Sequence, residues 1–171
     1  TTHPAAGSGL HDERITRQEI LERNIVPKKL YEQMEAATYA LFDFGSKWCR
    51  DHGLILVDTK YEFGLYQGKL ILIDELHTPD SARFWLADSY GDRIAQGKEP
   101  ENYDKEFLRL WYANKGYLGD GKPPKMSEEL LVNLSKRYIS VYEKITEKKF
   151  NAFPYPIEKR IVKNLKKAGI L

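Results

Sequence analysis

Asp58, Lys60 and Glu62 occupy alternate positions of the run D-T-K-Y-E-F-G, and Asp74 follows inside the apolar run I-L-I-D-E-L. Alternate residues of an extended chain share a face, so the first three side chains point one way. Two carboxylates flanking an ammonium can form a cross-strand ladder on a wet surface, worth roughly 0.2–1 kcal/mol per pair. The same set can hold a hard divalent cation through oxygen while the amine neutralises anionic charge. An acid between Ile73 and Leu76 suffers desolvation unless a cation or donor offsets it, which keeps the second reading open. Downstream, T-P-D-S-A-R-F-W (Thr78 to Trp85) is a turn followed by an arginine. Its planar guanidinium matches a phosphate, although Arg83 near Ser81 is by itself a common arrangement. His11, Asp12 and Glu13 form another polar cluster, in a loop, either solvated or able to touch a ligand.

These residues need a hairpin to bring them together. Lys69 to Leu76 reads as the return strand, and the length of the turn decides the register. A two-residue turn at Gln67-Gly68 puts Asp74 on the face opposite Glu62. A three-residue loop, Tyr66-Gln67-Gly68 with Gly68 left-handed, pairs Lys60 with Asp74 and sets Glu62 beside them. The second is expected, because it gathers Asp58, Lys60, Glu62 and Asp74 in one patch.

A helix must back this hairpin. Pro27 at the first helical position, then Leu30, Met34, Ala37, Leu41, Phe44 and Trp48 at spacings of three and four, predict a long amphipathic helix with that stripe in the core, closed by Gly53. Before it, Thr16-Arg-Gln-Glu19 has the capping-box form, with a short helix expected from Arg17 to about Asn24. Residues 86 to 101 read as polar and irregular. Asp104 caps a helix that carries Phe107, Leu108 and Trp111, Ser127 caps another with Leu131, Leu134, Tyr138, Val141 and Ile145 on one face, and Pro156 opens the last.

The 171 residues carry 27 basic and 25 acidic side chains, a net charge of +2, so no strong field toward nucleic acid or membrane is expected. The lysines of the last helix lack a recognition motif or interleaved exposed aromatics, and read as a solvated face. No apolar run has the length of a membrane span. The lone Cys49 fits a core filler in a reducing compartment, and the chain reads as cytoplasmic. The opening ten residues are small and polar; residues 1–15 are expected to be an extended lead-in and 16–171 a single α+β lobe.

Three segments together, G-L-I-L-V-D-T-K-Y-E-F-G from Gly53, L-I-D-E-L from Leu72 and T-P-D-S-A-R-F-W from Thr78, resemble the SAICAR synthetase family of purine biosynthesis. H-D-E-R-I-T upstream and Y-D-K-E-F-L-R-L-W downstream fit the same family in the same order. The resemblance implies an antiparallel hairpin or sheet packed on helices, as in the C-terminal lobe of an ATP-grasp-like enzyme. It implies a carbon–nitrogen ligase that joins L-aspartate to carboxyaminoimidazole ribonucleotide with ATP and Mg2+, through an acyl phosphate. It implies Glu62 and Asp74 as magnesium ligands and Lys60 beside the reacting carboxylate. Asp58 would orient the imidazole nucleotide or Lys60, Asp80 would touch the imidazole, and Ser81 and Arg83 would bind the 5′-phosphate. The loop His11 to Glu13 would lie on the substrate side.

The chain departs from the family at Ala82, where a serine often precedes the arginine. It also lacks the family's N-terminal lobe with its Gly-rich nucleotide loop, so the expected partner is that lobe or a second chain, and assembly with further copies is left open. A silent lobe that binds nucleotide or a partner is the competing reading. A kinase-like phosphotransferase is a weaker one, for no H-R-D or D-F-G context is present.

Overall fold

A computed structural model describes residues 14–153 and 155–171. The chain falls into two compact units, one running to Lys125 and the other from Met126 to Leu171. The α+β class expected from the sequence is what the first unit shows: small antiparallel sheets with helices against them.

The chain enters through α1 (Arg17–Glu22), opened by the capping box: Glu19 N–H donates to the Thr16 hydroxyl at 3.2 Å and Thr16 N–H to the Glu19 carboxylate at 2.7 Å. Helix α2 (Lys28–Asp51) follows, with Pro27 just before its first turn and Gly53 at a φ of +71 just beyond its end. Its core face differs from the expected stripe. Gly45 and Cys49 are the buried residues, whereas Phe44 is 64% exposed and Trp48 39%. The surface that packs on the sheet is one residue out of phase with the large side chains, because small residues let α2 approach closely. Burial also pushes the Cys49 thiol up to about 11.

Strand β1 (Leu54–Thr59) pairs antiparallel with β4 (Ala82–Leu86), with Leu54 opposite Leu86, Leu56 opposite Phe84 and Asp58 opposite Arg83. A bulge falls between Leu56 and Asp58. Leu54, Leu56, Ala82 and Phe84 are all buried, and with Cys49 they form the core beneath α2. Asp58 therefore belongs to this sheet and not to the hairpin, which corrects the expected continuous strand. The hairpin is β2 (Phe63–Tyr66) with β3 (Lys69–Leu72), and Tyr66 pairs with Lys69. Its turn is the two-residue Gln67-Gly68, at φ +50 and +75, the mirror-image turn whose twist suits a hairpin. The expected three-residue loop is overturned: Phe63 pairs with Leu72, and β3 ends before Asp74.

Helix α3 (Ala87–Ala95) lies where an irregular stretch was expected, and its residues contact β4. Helix α4 (Glu106–Asn114) starts two residues beyond Asp104, whose side chain still accepts from Glu106 N–H at 2.6 Å. The second unit holds α5 (Glu128–Thr146), where Leu130 N–H donates to the Ser127 hydroxyl at 3.2 Å, and α6 (Ile157–Lys167). Leu130 and Val141 are its buried apolar residues. Among the described residues, no helix is long and apolar enough to cross a membrane.

Candidate functional site

The end of β1, the irregular stretches on either side of the hairpin, the turn before β4 and the start of α4 surround a cleft of about 860 Å³. Asp58, Lys60, Asp74, Asp80, Ser81 and Arg83 line it, together with Lys105, Glu106, Arg109 and Tyr112. Two separate backbone pairings bring these residues together. The β1–β4 sheet delivers Asp58 and Arg83; the hairpin returns the chain so that Asp74 comes back toward Lys60.

The acidic patch forms by a route other than strand register. With Phe63 opposite Leu72, regular pairing would carry Asp74 to the wrong face. Residues 60–62 and 73–81 instead leave the strands, held by Ile73 N–H to Glu62 C=O at 3.0 Å and Lys60 N–H to Ser81 C=O at 3.1 Å. Lys60 Nζ then lies 2.6 Å from Glu62 Oε1 and 3.5 Å from Asp74 Oδ2. Bonding to Glu62 raises the Lys60 ammonium above its ordinary range, with Asp74 adding to the effect. Two carboxylates thus converge on one cation, and all three groups are partly open to solvent.

That convergence is the test of whether magnesium suits the site. Among the described residues no cluster of three His, Cys, Asp or Glu side chains could hold a metal. Magnesium does not require one: it keeps several waters and binds through one or two carboxylates plus substrate phosphates. Glu62 and Asp74 supply oxygen ligands of that kind, and the ammonium they now share occupies the place of a positive charge. The residues fit.

On the sheet, Arg83 Nε donates to both Asp58 oxygens, at 2.9 and 3.0 Å, and its Nη2 also bonds Asp58. This fork holds the Asp58 carboxyl below its usual range and the guanidinium above its own. One edge of Arg83 is thereby fixed on Asp58. Arg109 Nε donates to Glu106 at 2.6 Å, which draws the Glu106 carboxyl downward, and Lys105 Nζ lies 3.3 Å from Asp80. The turn itself is closed by Ser81: Thr78 N–H donates to its hydroxyl at 3.2 Å, and Ala82 N–H bonds Thr78 C=O at 2.9 Å. Ala82 is 4% exposed, and its methyl side chain has no polar atom.

Beneath the cleft sits Asp104, fully buried, accepting from Phe84 N–H at 2.7 Å and from Glu106 N–H. Burial raises its carboxyl above the ordinary range. It ties β4 to the start of α4. Lys105, Glu106 and Arg109 line the cleft and are not among the residues that sequence reasoning named for the site. Their signal was an acid-capped helix with charges at i, i+1 and i+4, which also describes an ordinary surface helix. His11, Asp12 and Glu13 lie outside the described residues.

A sequence model of the SAICAR synthetase family matches residues 5–124. The phosphoribosylaminoimidazole-succinocarboxamide synthase of Legionella pneumophila (strain Paris) is 42% identical over 168 residues, covering 96% of this chain and 54% of that protein. A solved structure, the SAICAR synthase of Saccharomyces cerevisiae complexed with SAICAR, superimposes with a TM-score of 0.65 at 30% identity, over 77% of this chain and 43% of that one. A type-2 SAICAR synthetase in complex with ADP gives 0.57 at 26% identity, over 83% and 48%. The chain spans about half the length of the curated relatives it matches.

Proposed function

We propose that this chain, which belongs to the SAICAR synthetase family, is the part of an ATP-dependent ligase that carries its metal and substrate wall. The reaction joins the amine of L-aspartate to the carboxylate of carboxyaminoimidazole ribonucleotide, giving SAICAR, ADP and phosphate. The observation that carries the reading is Lys60 between Glu62 and Asp74, at 2.6 and 3.5 Å, on the edge of a cleft whose other residues include Arg83, Lys105 and Arg109. A dicarboxylate beside a cationic surface suits a nucleotide that brings phosphates and a carboxylate.

Glu62 and Asp74 would hold magnesium, which would supply positive charge to neutralise the phosphates. The chain's own residues account for the rest. Arg83, oriented by Asp58, presents its remaining N–H groups to the 5′-phosphate of the ribonucleotide. Ser81 holds the turn that places Arg83 and Asp80, and its hydroxyl reaches a phosphate only by giving up Thr78. Asp80 faces the imidazole and is steadied by Lys105. Lys60 neutralises charge on the substrate carboxylate as its oxygen attacks the γ-phosphorus and ADP leaves. The aspartate amine then attacks the acyl carbon, expelling phosphate and losing a proton.

A C-terminal lobe spanning 16–171 is part of this proposal, completed by an N-terminal lobe or a second chain, in a cytoplasmic setting. Tyr66 and Ile71 are exposed on one face of the hairpin, which supports further protein covering that face. The test is ADP release from ATP and magnesium, by the chain alone and after adding the N-terminal half of the Legionella relative. The reading expects little release alone, and continuous release over many turnovers in the mixture only when both aspartate and the ribonucleotide are present. Continuous release that ignores either substrate contradicts it.

A further inference from the structure

His77 adopts a backbone conformation that its side chain disfavours. Its φ is +51, in the left-handed region, where a residue with a Cβ persists only if its surroundings hold it. Those surroundings are specific. The Tyr61 hydroxyl lies 2.5 Å from His77 Nε2, and the two rings meet edge to face with centroids 5.5 Å apart. On another side the imidazole abuts α2 at Gly45. A Cβ there would stand 2.2 Å from Cε1 and 2.6 Å from Nδ1, which no side-chain carbon tolerates. Glycine inside a helix costs about 1 kcal/mol relative to alanine, and here the ring uses the space it leaves.

The location gives this contact its meaning. Tyr61 stands between Lys60 and Glu62, and His77 between Asp74 and Asp80. Both stretches lie outside the strands: β1 ends at Thr59 and β2 starts at Phe63, while β3 ends at Leu72 and β4 starts at Ala82. Neither has a ladder of backbone bonds to set its position. The Ile73–Glu62 and Lys60–Ser81 bonds mark the two ends of the irregular region. The Tyr61–His77 bond spans it between them.

We infer that Tyr61 and His77 are positioning residues: wedged against α2 at Gly45, their bond fixes the Asp74–Asp80 segment relative to Lys60 and Glu62, and so sets how the two carboxylates converge. The effect on metal rests on the function proposed above; the mechanical link does not. The experiment uses the full 171-residue chain with Tyr61→Phe, which removes one hydroxyl, Gly45→Ala, which displaces the ring, and Gly45→Ala with His77→Ala. Segment-resolved amide hydrogen exchange reports the link, and the free-ion electron spin resonance signal of manganese(II) reports metal affinity.

Tyr61→Phe and Gly45→Ala are each expected to speed exchange across 78–81 about tenfold, leave the β1–β4 amides unchanged, and weaken manganese binding about tenfold. Adding His77→Ala to Gly45→Ala is expected to recover the melting temperature without recovering manganese affinity, which a role in packing alone would not produce. Wild-type exchange and affinity in Tyr61→Phe overturn the inference, as does wild-type affinity in the double variant. Should the wild-type chain bind no manganese, the metal reading fails, and the exchange of Tyr61→Phe alone decides the link. Should Gly45→Ala fail to fold, Tyr61→Phe still carries the test.

Discussion

Asp58 and Arg83 show how a single pair can be visible as chemistry and hidden as geometry. The D-T-K-Y-E alternation marks Asp58 as a site residue, and the turn marks Arg83, yet their mutual bond joins residues 25 apart and exists only because β1 pairs with β4. The pair also has a pH signature. The Asp58 carboxyl titrates lower when folded than its reference of 3.8, so its contribution is present above about pH 4 and is lost as pH falls through the folded value. Both side chains are about half exposed, 47% and 50%, which limits the gain to a few tenths of a kcal/mol. Melting temperatures of wild type and Asp58→Asn should therefore differ slightly at pH 6 and converge as pH falls through the folded value; a gap that widens on acidification would contradict the pairing. Asp104 is the opposite case, a carboxylate read as a surface cap that proves fully buried with two backbone donors. Asparagine has one oxygen for those two donors, so Asp104→Asn should cost roughly 1–3 kcal/mol in urea unfolding. A cost near zero would show that the carboxylate does not tie β4 to α4.

At the scale of elements, helices announced by a polar cap or an opening proline were legible, and α3, which has neither, was not. Thr16 and Ser127 announce α1 and α5 through side chains that bond the first turn. Helix α3 has no side-chain cap, and Asp88, Ser89 and Gly91 are poor helix formers, so its stability comes from contact with β4. The hairpin was legible in its residues but not in its register, since Gln67-Gly68 serves either turn length and periodicity alone cannot choose. The observed choice gives Gln67 and Gly68 positive φ values of 50 and 75. Gly68→Ala should lower stability by about 1 kcal/mol, whereas Gln67→Asn, a residue that tolerates this conformation, should raise it by a few tenths. Thermal melts of the two variants moving in the same direction would argue for a different turn. The α2 stripe misled for a related reason: period 3.6 identifies an apolar face, but Gly45 and Cys49 decide which face can come close to the sheet.

At the scale of the molecule, the family was legible because its motifs fall on the segments that build the cleft, and the fold bears the likeness out. Spacing could not reveal that the acidic patch would form outside regular pairing, from two irregular stretches flanking a hairpin whose own register opposes it. The central claim is that Glu62 and Asp74 act together there on a metal–nucleotide complex. Glu62→Gln and Asp74→Asn preserve size while removing one charge and one acceptor oxygen each, and the most direct measurement is the magnesium dependence of ADP release by the chain complemented with the N-terminal half of a relative. The account predicts a loss of at least a hundredfold at saturating substrates in either variant, about 2.7 kcal/mol, partly recovered by raised magnesium. Wild-type rates with an unchanged magnesium dependence in both variants would contradict it.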